Sequence, residues 1–116
     1  MRLYQYRAVV TKVVDGDTVW LDLDLGLRIH QHGSCRLAGI DAPEMSEIPA
    51  GATAKEWLTQ RLLGKRVAVR TTGLDKYGRP VVTLWEPEPL DDVPIFAASV
   101  NQEIVTAGQA TLVGAP

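Results

Sequence analysis

The chain has 116 residues, enough for one domain that buries a hydrophobic core without disulfides or a structural metal. Its 12 basic and 14 acidic residues leave a net charge of −2, which is not the footprint of a protein that coats nucleic acid electrostatically. With 46% apolar and 22% charged residues the composition is globular rather than disordered, and a single cysteine, Cys35, excludes an intramolecular disulfide and a cysteine-rich zinc site.

Met1 to Tyr6 carries no apolar run of the signal-peptide kind, and no stretch approaches the ~20 apolar residues of a membrane-spanning helix. The expectation is a soluble cytoplasmic protein with no membrane partner, or a secreted one whose leader has been removed. Residues 7–14 are rich in β-branched side chains, and Val19, Leu21, Leu23 and Leu25 alternate with Thr18, Trp20, Asp22 and Asp24, the period of a strand with one face toward a core. The turn at Asp15-Gly16 joins them into a hairpin, and Gly26 closes the second strand. His30 and His32, without a third ligand, read as solvated residues of a hairpin loop ending at Gly33. Cys35 reads as a small strand residue without chemistry, and Arg36 to Ile40 as a third, short strand ended by Pro43.

Between Gly51 and Gly64 the period becomes helical. Ala54, Trp57, Leu58, Arg61 and Leu62 share one face, and Gly64 stands where a helix end wants a left-handed residue. Residues 66–70 and 81–85 return to a strand pattern around a loop at 75–79 punctuated by Gly73 and Gly78. Glu86 to Pro94, with three prolines and four acids, reads as a flexible excursion. A second helix runs from a Ser99 N-cap, with Gln102 at the capping-box position, to a stop at Gly108. Five strands, with one helix between the third and fourth and one after the fifth, suit a single α+β domain over 1–116: a small β-barrel of oligonucleotide-binding (OB) type.

Three stretches carry chemistry: Asp15-Gly16-Asp17-Thr18-Val19, Arg36 to Glu44 with Asp41-Ala42-Pro43-Glu44 at its end, and Asp75-Lys76-Tyr77-Gly78-Arg79. Hard cations take carboxylate and carbonyl oxygens, and the arginine fork suits a phosphate, so the set is an inventory for metal-assisted phosphodiester cleavage. Plainer readings stand beside it. Asp15 suits an Asx turn, Thr18 either bonds its neighbours or supports a metal shell from outside, Asp41 and Glu44 suit solvated loop positions, and Arg36 suits an ion pair with Asp17 or Asp41.

Through these three stretches, in the same order and over about Tyr4 to Thr111, the chain resembles the staphylococcal nuclease-like (thermonuclease) family. The resemblance implies the OB-type barrel and a calcium ion held by Asp17, Asp41 and the backbone carbonyl of Ala42, which stands where the family has threonine. It implies Glu44 as general base on the attacking water, Arg36 and Arg79 on the phosphate, and Lys76 and Tyr77 against the nucleotide. The implied activity is calcium-dependent hydrolysis of DNA and RNA, preferably single-stranded or frayed, on the 5′-oxygen side with 3′-phosphate ends.

The chain departs from the family in its substrate-binding surface. The loop Met45 to Ala50 has no lysine, residues 109–116 hold none of the tyrosines the family carries there, and a surface without the family's third helix is the expectation. Because stacking on an aromatic is worth ~1–3 kcal/mol per base, the expected grip is weaker and less base-dependent. The apolar tail Ala110 to Val113 is left to seal the barrel or to meet another subunit, in a monomer or weak homo-oligomer. Two rivals from other classes are a catalytically silent nucleic-acid-binding module on the same barrel, and a structural or protein-interaction domain using the 86–94 excursion and the tail.

Overall fold

Two long strands, each with one apolar face, begin a barrel that closes on itself. The structure, a computed structural model, describes residues 4–88 and 96–113. Strand β1 (Gln5–Asp15) and strand β2 (Thr18–Asp24) form the hairpin, with Asp15 opposite Thr18 across Gly16 and Asp17. Register shifts after Val10 and after Val13 bend β1, so that its first half also pairs with a later strand. Val19, Leu21 and Leu23 point into the core as their alternation predicts, whereas Leu25 lies past the strand and is exposed.

Strand β3 (His30–Leu37) and the two-residue strand β4 (Ile40–Asp41) follow, then helix α1 (Ala50–Leu62), strand β5 (Arg66–Leu74) and strand β6 (Pro80–Trp85). Helix α2 (Val100–Thr106) and the short strand β7 (Thr111–Leu112) complete the described chain. The closed barrel runs β1-β2-β3-β6-β5, with β3 and β6 parallel at Arg36–Val81 and Leu37–Val82. This is the OB-type architecture expected, with α1 between the third and fourth barrel strands and α2 after the fifth. Val10, Val19, Leu21, Leu37, Val69, Val82 and Leu84 fill the barrel; Leu58 and Leu62 of α1 and Val100 and Ile104 of α2 complete the core. No described helix is long and apolar enough to cross a membrane.

Gly64 adopts φ +78° as its helix-end position requires, and its N–H donates to the carbonyl of Val10, tying the helix exit to β1. Ser99 caps α2 through the N–H of Gln102, while the Gln102 amide reaches back to the N–H of Ala98.

Two expectations are corrected. The third strand starts at His30 and ends at Leu37, so His30 and His32 belong to β3 and not to a hairpin loop. They lie opposite Asp24 and Asp22, and the connection is the tight turn at 25–29. His30 Nδ1 meets Asp22 Oδ1 at 3.1 Å and His32 Nε2 meets Thr11 Oγ1 at 2.7 Å, so polar cross-strand pairs support a segment that has no apolar alternation to announce it. The tail is not left uncovered as a whole: Ala110 is buried, and Thr111 and Leu112 pair with Asp41 and Ile40 as a second, two-stranded sheet. Of the predicted excursion, Pro89 to Pro94 lies outside the described residues, as do Gly114 to Pro116.

Candidate functional site

The hairpin turn between β1 and β2, the end of β3 and strand β4 meet at one rim of the barrel. Asp17 occupies the turn and is largely buried. Its Oδ1 accepts from the Thr18 hydroxyl at 3.1 Å and its Oδ2 from the Ala42 N–H at 2.9 Å. Burial alone raises a carboxyl pKa, but the hydrogen bond from Asp15, the Ala42 N–H and the Arg36 charge outweigh it and hold Asp17 below the ordinary value. Asp15 goes the other way, to about 6, first through burial and then through the hydrogen bond it shares with Asp17. Its Oδ1 also accepts from the Asp17 N–H at 3.1 Å, the Asx-turn geometry anticipated for it.

Arg36 stands between the two acids. Its Nη1 is paired with Asp17 Oδ2, and its Nη2 lies 3.6 Å from Asp41 Oδ1. The same guanidinium donates to the Ile40 carbonyl at 3.1 Å and to the Asp17 carbonyl at 3.4 Å, so four oxygens of three residues face one positive group. The Asp41 side chain is mostly exposed, leaving this edge open to a ligand. Such an all-oxygen set, two of its members carboxylates, matches the donor chemistry that a hard divalent cation takes. Among the described residues no three His, Cys, Asp or Glu side chains meet as a metal cluster, so further ligands would come from backbone carbonyls and water.

Small residues allow this convergence. A Cβ on Gly16 would lie 2.7 Å from the Ala42 Cβ and 2.8 Å from the Ala54 Cβ, so the hairpin turn, the segment after β4 and α1 touch only because all three positions are small. Glu44 lies one turn before α1 and is exposed. Its N–H donates to Glu47 Oε2 at 2.7 Å, its carbonyl accepts from the Glu47 N–H at 2.9 Å, and the same carbonyl rests on Gly51.

Arg79 is held by its own loop. Its Nε is 2.8 Å from Asp75 Oδ2, its guanidinium stacks 5.4 Å from the Tyr77 ring centre, and Lys76 Nζ is 5.1 Å from the same ring. Asp75 accepts from the N–H groups of Tyr77 and Arg79, so the loop is a preformed platform. Desolvation works against ionisation of Asp75, but these N–H groups and the Arg79 side chain lower its pKa. Arg79 directly precedes β6, two residues before Val81, the partner of Arg36 on that strand. Arg79 also lines a cleft of about 240 Å³ with Gln31, Gly33, Ser34 and Cys35. Cys35 is buried, and burial pushes its thiol pKa up to about 11, in keeping with a residue of no reactivity.

The structure thus brings together Asp17, Arg36, Asp41 and Ala42, sets Glu44 on the adjoining turn, and gathers Lys76, Tyr77 and Arg79 on the 75–79 loop. It also adds residues that no motif singled out. A second cleft of about 240 Å³ beside Asp41 is lined by Pro43, Glu47, Gln109 and Thr111, and the Thr111 hydroxyl donates to the Asp41 carbonyl at 3.2 Å. The Glu44-x-x-Glu47 spacing was the available signal for Glu47; Gln109 and Thr111 carried none.

Comparison with known proteins agrees with this geometry. The family model described as "Staphylococcal nuclease homologue" matches residues 34–115. "Probable endonuclease lcl3" of Neosartorya fischeri is 39% identical over 82 residues, which is 66% of this chain and 28% of the relative. Proteins of the same name from Aspergillus flavus and Emericella nidulans are 38% identical over 85 residues and 40% over 83, covering 68% and 66% of this chain and 31% and 30% of theirs. The chain therefore spans less than a third of the length of these relatives. With the profile covering well over half of its residues and the barrel closed as that fold requires, this chain belongs to the staphylococcal nuclease homologue family.

Proposed function

We propose that the domain is a calcium-dependent nuclease that hydrolyses phosphodiester bonds of DNA and RNA, preferably single-stranded or frayed, with little sequence preference. The observation that carries this reading is the convergence of Asp17 and Asp41 on the Arg36 guanidinium, two carboxylates and a phosphate-matching fork at one open rim. The relatives' name, probable endonuclease, supports it.

Asp17, Asp41 and the Ala42 carbonyl would hold the cation. When bound, calcium supplies positive charge against a phosphate oxygen and makes a bound water more acidic. The Arg36 fork, now spent on carboxylates, is the donor that would turn to the phosphate, and Arg79 on its Tyr77 platform would supply a second. Glu44 accepts a proton from the attacking water as the new oxygen–phosphorus bond forms and the bond to the 5′-oxygen breaks in line. The leaving oxygen takes up a proton, and the 3′ end keeps the phosphate. Lys76 and Tyr77 contact the nucleotide.

Digestion of single-stranded DNA, duplex DNA and RNA with calcium, magnesium or chelator, followed by end-group analysis, tests the proposal. Calcium-dependent cleavage with 3′-phosphate ends is expected; products bearing only 5′-phosphates, or cleavage indifferent to chelator, would overturn it. One observation favours a second reading, a catalytically silent binding module: Arg36 already satisfies both acids. Oligonucleotide binding with no cleavage under any cation would select that reading. A monomer is expected in sedimentation, since the tail's buried share packs on its own chain.

A further inference from the structure

Arg36 and Asp41 are separated by a two-residue turn, Ala38-Gly39, between β3 and β4. How far apart the guanidinium and the carboxylate stand depends on how that turn is held. The barrel ladder does not reach it, because the β3–β6 pairing stops at Leu37–Val82. The Ala38 N–H makes one further bond to the Val82 carbonyl, at 2.7 Å. The Ala38 carbonyl is held by a side chain from another element: Asn101 Nδ2 donates to it at 3.0 Å and to the Val82 carbonyl at 3.1 Å, while Asn101 Oδ1 accepts from the Leu84 N–H at 3.0 Å. Asn101 is completely buried.

A buried amide with both its donors and an acceptor lone pair engaged is a rigid bracket, since losing any one bond strands a backbone group away from water. One of its three contacts falls on the turn and two on β6, so it fixes the turn relative to β6 and not merely α2 against the sheet. Gly39, at φ +74°, adds a second stop: a Cβ there would meet the Phe96 ring at 3.4 Å. The turn is thus pinned by Asn101 on one side and packed against Phe96 on the other.

We propose that Asn101 is a positioning residue for the site: through the Ala38 carbonyl it sets the reach between Arg36 and Asp41. This rests on the proposed function for its catalytic consequence, but not for its structural one. Asn101→Ser removes the amide without adding charge. Asn101→Asp retains an acceptor for the Leu84 N–H and loses both donations. Either variant serves if the other fails to fold. Ile104→Val, in the core on the same helix and without the amide's hydrogen bonds to the turn, is the control for loosening alone.

All are compared at a temperature where circular dichroism shows them fully folded. The readouts are the amide signals of residues 36–42 and the Arg36 side-chain N–H by NMR, calcium affinity by calorimetry, and kcat and KM on single-stranded DNA. The expected result is displaced signals over 36–42, calcium affinity weaker by about 10-fold, as for other residues that orient metal ligands, and a fall in kcat with little change in KM. Ile104→Val should leave all of these near wild type. Asn101 variants whose 36–42 signals match those of Ile104→Val would overturn the inference. If the wild type neither binds calcium nor cleaves, the proposed function fails, and the NMR comparison still decides the positioning role.

Discussion

Gly51→Ala sets two physical effects of opposite sign against each other. Alanine in place of glycine within a helix normally gains up to about 1 kcal/mol. Gly51 is buried in the first turn of α1, and a Cβ there would fall 2.0 Å from the Glu44 carbonyl oxygen, 2.6 Å from its carbon and 2.8 Å from the Met45 Cα. All three atoms are backbone, and the Gly51 N–H is itself bound to the Glu47 carbonyl at 2.8 Å, so no side-chain rotation relieves the contact. Overpacking costs about 1–3 kcal/mol, and the upper end applies where backbone must move. The net expectation is a loss of about 2 kcal/mol, or a melting temperature lower by about 8 °C for a domain of this size. Thermal and urea unfolding by circular dichroism measure it, with exposed Ala52→Gly as the propensity control, expected to lose no more than about 1 kcal/mol. Because relief requires the Glu44 turn to shift, the proposed nuclease activity, measured below the transition, should fall as well. A Gly51→Ala protein that melts higher than wild type would refute the reasoning, showing that helix propensity outweighs the contact with the Glu44 turn.

Other expectations follow from the same geometry. Arg79→Lys keeps charge but loses the fork and the stacking on Tyr77; its pair with Asp75 is solvated, so the unfolding midpoint should hardly move while kcat of the proposed cleavage falls by about 10²-fold. A loss of stability without loss of turnover would contradict this. Arg61 joins α1 to Glu86 at 2.7 Å and to Glu103 of α2 at 3.1 Å, all three partly exposed; Arg61→Ala should cost about 1–2 kcal/mol in urea titration and leave kcat unchanged. Cys35 should resist thiol reagents at pH 8 until the protein is unfolded. Its pKa of about 11 against an ordinary 9.0 means that the unfolded chain releases this proton first, so its contribution to stability is intact below pH 9 and lost as pH rises toward 11, measurable as a falling urea midpoint absent in Cys35→Ala.

Much of the barrel could be read from local pattern. Val19, Leu21 and Leu23 alternate because a pleated strand puts successive side chains on opposite faces, and Ala54, Leu58 and Leu62 recur because a helix turns every 3.6 residues. Both periods are properties of a short segment, so neither needs a partner to be visible. The acids and arginines of the three motifs were legible for the same reason. What stayed hidden depends on residues far apart in the chain. His30 and His32 became strand residues only because β2 offers Asp24 and Asp22 opposite them, and the two-residue strands β4 and β7 have no period to detect. That Arg36 bridges Asp17 and Asp41, that the Ala42 N–H is spent on Asp17, and that Asn101 holds the turn between them follow from where the barrel closes. The residue types and their order are local chemistry and stand in the sequence; their convergence on one rim is a three-dimensional distance, and only the closed barrel sets it.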